Sequence, residues 1–282
     1  MRKVVCFIVI LAVAASACAG GGRQTDWPSR PVQVIIPFAP GGDTDINARN
    51  YIMRLGDVLG VPVVGQNMTG LAGAVGAQHV LDSAPDGYTV LFFQSSMFTN
   101  RGAGVSSIQI DDYELAAVAA EVAFSIFVQG SSPYHSLQDL VNASVAAPDT
   151  LMIAKNLGAT SHYYAVLLNE AGARLRLVDV GDAAQRVTSL LGGHIHAIPS
   201  AFGPLVPHLQ AGTIRPLATM NTTRNIVYTD VPTTPELGYP NAVFPMYYFF
   251  AFPKGTPAAI VDKFADAVEQ VNRSDAYRAG IL

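Results

Sequence analysis

The stretch Pro37-Phe38-Ala39-Pro40-Gly41-Gly42-Asp43-Thr44-Asp45-Ile46-Asn47-Ala48-Arg49 decides how the chain is read. Ahead of it, Val32-Gln33-Val34-Ile35-Ile36 is a β-branched apolar run next to prolines, the composition of a buried strand. After it, Ala48, Ile52, Leu55 and Leu59 recur at helical spacing, with Asp43 or Thr44 placed to cap the first turn and Gly60 to end the last. The spacing predicts a strand, a Gly-Gly loop and a helix. Glycine lets the backbone turn without a Cβ in the way, and the free N–H groups that open the helix point into the space beyond the strand end. That space suits an anion. The same residues also describe an ordinary strand-to-helix turn with Asp45 complementing the helix dipole, and residue chemistry alone leaves both readings open.

The 282 residues suffice for one large or two medium domains, and 50% hydrophobic with 13% charged residues is the composition of a compact chain. The net charge is −4, and no Lys/Arg cluster with interleaved aromatics points to nucleic acid. Residues 1–18 read as a lipoprotein signal peptide: Arg2-Lys3, an apolar run from Val4 to Ala14 too short to span a membrane, then Ala15-Ser16-Ala17-Cys18, which resembles a lipobox. Cys18 is then the lipidated N-terminus, or else incidental to an ordinary signal peptide cut nearby. Cys6 leaves with the leader, so no cysteine pair remains for a disulfide. Residues 19–26, rich in glycine and polar residues, read as a tether.

A second short strand, Val61 to Val64, leads to Gly70-Leu71-Ala72-Gly73-Ala74-Val75-Gly76-Ala77, whose Gly-x-x-Gly-x-x-Gly spacing is not the dinucleotide fingerprint. Ala84-Pro85-Asp86-Gly87 is turn chemistry before the strand Val90 to Phe93, which ends in Gln94-Ser95-Ser96, where hydroxyls are placed for a ligand. Leu115 to Val128 reads as one long strand leaving the first domain. A second strand-helix rhythm then begins: strands Leu151 to Ala154, Leu175 to Val180 and Ile195 to Pro199, with helices Thr160 to Ala171 and Ala183 to Leu191. Thr213 to Met220 is a further strand, Met246 to Pro253 an aromatic strand crossing back to the first domain, and Ala258 to Val271 a helix.

The opening stretch resembles the first signature of the tripartite tricarboxylate transporter substrate-binding proteins, the TctC or Bug family, whose usual form is Pro-Phe-x-x-Gly-Gly-x-x-Asp-x-x-Ala-Arg. Every fixed position is met from Pro37 to Arg49. Ala84 to Thr89 and Val231 to Gly238 resemble further family segments, and the likeness covers nearly the whole mature chain. Thr69 and Leu71 depart from the glycine-rich second segment. In Asn156-Leu157-Gly158-Ala159-Thr160-Ser161-His162, Gly158 and His162 match while Ala159 replaces a hydroxyl. Val178 to Gln185 departs most, with Asp182 where the family is uncharged. A carboxylate there that faced the ligand would repel an anion by about 1–4 kcal/mol, and the expectation is that Asp182 points to solvent. Relatives usually continue past the position of Leu282, so the C-terminus reads as trimmed.

The resemblance implies an α/β fold of the periplasmic binding protein type (type II-like), with two mostly parallel sheets joined by two crossover strands around a ligand cleft. Domain 1 is expected over 27–127 plus 248–282 and domain 2 over 128–247. It implies a receptor outside the cytoplasm, periplasmic or lipid-anchored in the cell envelope, monomeric, which closes by a hinge on a small organic acid and delivers it to membrane transporter subunits. A scavenging or sensing lipoprotein is the alternative. An enzyme reading finds no nucleophile elbow, zinc motif or P-loop, and neither a metal nor a cofactor is implied. The candidate ligand-binding residues are Phe38, Ala39, Gly41, Gly42, Asp45, Gly70, Ala72, Gly73, Ser95 and Ser96 from the first half. From the second they are Thr160, Ser161, His162, Asp182, Ala183 and Ser200, with His162 read as a structural hydrogen-bonding residue. Backbone N–H groups and hydroxyls at these positions hold a carboxylate without a salt bridge, which suits a chain with four lysines.

Overall fold

A computed structural model describes residues 27–277. The leader, Cys18 and the tether lie outside the described residues.

Two α/β halves follow one another. The first runs β1 (Val32–Ile36), α1 (Asp43–Leu59), β2 (Val63–Asn67), α2 (Ala74–Leu81), β3 (Thr89–Gln94), α3 (Ser96–Gly102) and β4 (Tyr113–Val122). The second runs β5 (Phe124–Gln129), α4 (Leu137–Ala146), β6 (Met152–Lys155), α5 (Thr160–Glu170), β7 (Arg176–Asp179), α6 (Ala183–Leu191), β8 (Ile198–Ala201), α7 (Val206–Gln210) and β9 (Ile214–Thr219). The chain then returns through β10 (Met246–Pro253) and α8 (Ala258–Arg273).

The first sheet has the order β2-β1-β3-β10-β4. In the second, β8-β5-β9 is extended by the parallel pair β6-β7 through a bridge between Ile153 and Ala197, which makes the order β7-β6-β8-β5-β9. Both halves therefore use one arrangement, with a single reversed strand (β10 or β5) between the third and fourth strands of its half. Strand direction is mostly parallel in each, as expected, but the ladders beside β10 and β5 are antiparallel. The reversed strands are those arriving from the other half, and an arriving strand enters its sheet against the local direction.

The run Leu115 to Val128 is two strands. Ala123 lies outside either ladder, β4 pairs with β10 in the first sheet, and β5 pairs with β8 and β9 in the second. An apolar run carries no mark where it changes sheets, because the change needs neither Gly nor Pro. Around this crossing the cores of the two halves fuse. Phe92 stacks on Tyr248 with centroids 5.1 Å apart, Phe124 stacks on Tyr164 at 4.9 Å, and all four belong to one buried cluster. The Tyr164 hydroxyl donates to the Phe244 carbonyl at 2.6 Å, tying α5 to the returning chain. These contacts form the floor of the gap between the halves.

Candidate functional site

The loop after β1 is held by Asp45, a buried residue 3% exposed. Its carboxylate accepts from the Gly41 amide at 2.9 Å, Asn67 Nδ2 at 2.8 Å and Arg49 Nε at 2.9 Å, and Asn67 donates in turn to the Phe38 carbonyl at 2.9 Å. Burial alone would raise the Asp45 pKa, but these bonds outweigh it and hold the carboxyl below its ordinary value. Asp45 is thus consumed in shaping the loop and does not line the gap. Gly41 likewise turns its amide inward to Asp45. The N-cap of α1 is Gly42, with no side-chain cap, and not Asp43 or Thr44; Asp43 is the first helical residue. Gly60 ends the helix in the left-handed conformation, as expected. The Asp43 carboxylate accepts from the Tyr248 hydroxyl. Its pKa is raised by burial, against the Tyr248 bond and the charge of Arg186.

Beside this loop, four consecutive residues adopt positive φ: Gly70 at 136°, Leu71 at 46°, Ala72 at 49° and Gly73 at 98°. A Cβ on Gly73 would lie 2.4 Å from the Phe93 ring, which stacks on Phe38 at 5.9 Å. The Ala72 carbonyl accepts from Asn100 Nδ2 at 3.0 Å, so α3 fastens the loop.

In the second half, α5 begins after Ala159, which supplies no side-chain cap. Ser161 Oγ accepts from the Asn156 amide at 3.1 Å and His162 Nδ1 from the Gly158 amide at 3.4 Å, so both shape their own turn. Burial and Lys155 lower the His162 pKa against the pull of Asp179, and the bond from the Gly158 amide gives the ring a structural hydrogen-bonding role. Asp182 is the N-cap of α6: it accepts from the Gln185 amide at 2.9 Å while Gln185 Oε1 accepts from the Asp182 amide at 2.9 Å. One turn on, Arg186 is 7% exposed and donates through Nη1 to the Gly181 carbonyl at 2.7 Å.

These elements enclose a cleft of two connected parts. An inner chamber of about 40 Å³ lies between the α1 and α5 starts and Arg186, and an outer one of about 490 Å³ opens beside the 70–73 loop. Phe38, Ala39, Asn156 and Asp182 line both. The halves meet across the cleft where Thr99 Oγ1 donates to the Gly158 carbonyl at 2.7 Å, and a Cβ on Gly42 would lie 3.7 Å from that of Ala183. Of the anticipated residues, Gly42, Thr160, Ser161 and Ala183 line the inner part, and Gly70, Ala72 and Gly73 the outer. Asp182, expected to point to solvent, is part-exposed and lines the cleft, its carboxylate held at the α6 start by its role as cap. Ser95, Ser96, His162 and Ser200 stand off the lining. Ser95 Oγ accepts from the Tyr247 amide at 2.9 Å, Ser96 Oγ is buried without a partner among the described residues, and Ser200 pairs with Ser125 in the second sheet.

The sequence reading of the site missed Asp43, Gln94, Phe124 and Arg186 in the inner part and Leu71, Val105 and Leu157 in the outer. Arg186 had a signal: it lies four residues after Asp182, one helical turn along the same face. Among the described residues the charged groups of the lining are Asp43, Asp182 and Arg186. Among the described residues no group of three His, Cys, Asp or Glu side chains could hold a metal, and no helix is long and apolar enough to cross a membrane. Amides, one guanidinium and two carboxylates around one cleft are the equipment for holding a small polar molecule.

Comparison with known proteins agrees. Residues 48–281 match the model of the tripartite tricarboxylate transporter family receptor. Protein BugT of Bordetella pertussis is 32% identical over 267 residues, 93% of this chain and 82% of that protein. Among solved structures, MatC from Rhodopseudomonas palustris with bound malate superposes with a TM-score of 0.82 at 25% identity, covering 90% of this chain and 88% of that one. A second R. palustris protein, solved with adipate, gives 0.83 at 28% identity, covering 90% and 86%. With the loop of the Pro37 to Arg49 signature lining the inner part of the cleft, the chain belongs to the TctC/Bug family of tripartite tricarboxylate transporter receptors.

Proposed function

We propose that this protein is an extracytoplasmic receptor that captures a small organic carboxylate by hinge closure and hands it to the membrane subunits of a tripartite tricarboxylate-type transporter. The observation that carries the reading is the pairing of two helix starts without side-chain caps, after Gly42 and after Ala159, on opposite walls of one cleft. Free amides at such starts favour an anion. The malate and adipate bound by two structural relatives support the ligand class. The two domains divide at the crossing segments, Ala123 and the chain between β9 and β10, which serve as the hinge. Cys18 carries the lipid anchor, which mass spectrometry of the mature protein checks by the presence of an acylated cysteine.

The test is a thermal-shift and small-angle scattering screen of C4 to C8 organic acids on the purified mature protein. A ligand at a hundred times its dissociation constant adds about 2.7 kcal/mol of stability, and closure shrinks the radius of gyration. Stabilisation by neutral or purely cationic compounds with none by acids overturns the reading.

A further inference from the structure

The lining of the cleft is not that of a simple anion site. Arg186 is 7% exposed, yet among the described residues only its Nη1 has a protein acceptor, the Gly181 carbonyl. A guanidinium has five N–H donors in a planar fork, and although the charges of Asp43, Asp182 and Asp179 act on this one, none of them bonds to it among the described residues, so an anion that completes the fork would offset its burial. Nε and Nη2 have no acceptor among the described residues and are not sealed off, and the side chain lines the inner chamber.

The opposite wall carries the opposite charge. Asp43 lines the same chamber, and beside the backbone amides of Asp43 and Thr44 its carboxylate has one side-chain donor among the described residues, the Tyr248 hydroxyl. Asp43 and Arg186 feel each other's charge, but no ion pair joins them among the described residues. Asp182 is engaged with its own helix through the Gln185 amide. The outer chamber is different in kind: Leu71 and Leu157, 64% and 48% exposed, line it together with Val105.

We propose that the ligand of this cleft is a zwitterion with an apolar body: its carboxylate taken by the Arg186 fork, an ammonium-type cation beside it taken by Asp43, and its carbon chain in the outer chamber. The proposal rests on the receptor reading and narrows it. A dicarboxylate would set a second anion against the Asp43 carboxylate, which opposes the pull of the α1 amides beside it, or among Leu71, Val105 and Leu157, where no cation meets it. A zwitterion neutralises both walls at once.

Calorimetry with matched sets on one carbon skeleton separates the possibilities. For six carbons these are norleucine, hexanoate and adipate, and the same trio is taken from four to eight carbons at pH 7.5. The amino acid is expected to bind at least tenfold tighter than the monocarboxylate in the best-fitting set, with the dicarboxylate weaker still. Asp43→Asn is expected to bring norleucine and hexanoate within threefold of each other. Arg186→Gln weakens both at least tenfold, and Arg186→Lys, which keeps the charge without the fork, recovers part of the loss. Melting temperatures of the ligand-free variants within a few degrees of the parent show that they fold. Dicarboxylates binding as tightly as the amino acids, or affinities untouched by Asp43→Asn in a folded variant, overturn the zwitterion while leaving the receptor standing. If no acid of any set binds, the carboxylate reading itself falls, and this inference with it.

Discussion

Asp45 shows how one carboxylate can set the shape of a binding loop without entering the site. Its oxygens collect an amide, a guanidinium and a side-chain amide, and one of those donors also holds the Phe38 carbonyl. Asp45→Ala leaves the Gly41 and Asn67 donors unpaired in a buried place and is expected to cost about 2–4 kcal/mol in denaturant unfolding, with Asp45→Asn costing less. The pH dependence follows from the lowered folded pKa. Stability from Asp45 is present in full above the unfolded value, about 3.9, and is lost as pH falls through the folded one, so the gap between parent and Asp45→Asn closes in acid. At this scale the sequence was half legible. The signature marked Asp45 as important but not whether it faces a ligand or its own loop, since both uses ask for a carboxylate at the third helical position. Arg186 went unmarked because its importance comes from burial, which spacing alone does not disclose.

The elements that position the site were largely visible, and their exceptions have causes. β1, α1, β10 and most of α8 follow hydrophobic period and turn chemistry, and α6 begins and ends where the periodicity places it. The α1 cap differs because Asp43 turns to Tyr248, leaving Gly42 at the cap position. Four successive left-handed residues at 70–73 could not be foreseen, because Leu71 and Ala72 favour that conformation only when their surroundings impose it. Gly73 is the residue on which that loop depends. Gly73→Ala places a methyl group 2.4 Å from the Phe93 ring at a φ of 98°, and is expected to cost about 1–3 kcal/mol in stability. Because Phe93 stacks on Phe38, the same substitution is expected to weaken ligand binding, which calorimetry reads separately from the melting temperature.

For the molecule as a whole, the repeated α/β rhythm sufficed to expect two sheets and a cleft, while the position of the reversed strands depended on pairings between residues far apart in the chain. Tyr248 illustrates this: it faces Gln94 on one side and Ala120 on the other, neither of which its local sequence could name. That double pairing also orders events in time. All five strands of the second sheet come from residues 124–219, an unbroken run of chain. The first sheet keeps a gap between β3 and β4 until β10, one of the last elements of the described chain, slides in and bonds to both. The half that is made first is therefore finished last. Pulse-labelling hydrogen exchange during refolding is expected to show protection at β5, β8 and β9 before β3 and β4, and simultaneous protection of both sets would contradict it. The N-terminal half therefore stays open until the C-terminal strand arrives, while the second half, complete by residue 219, can close before it.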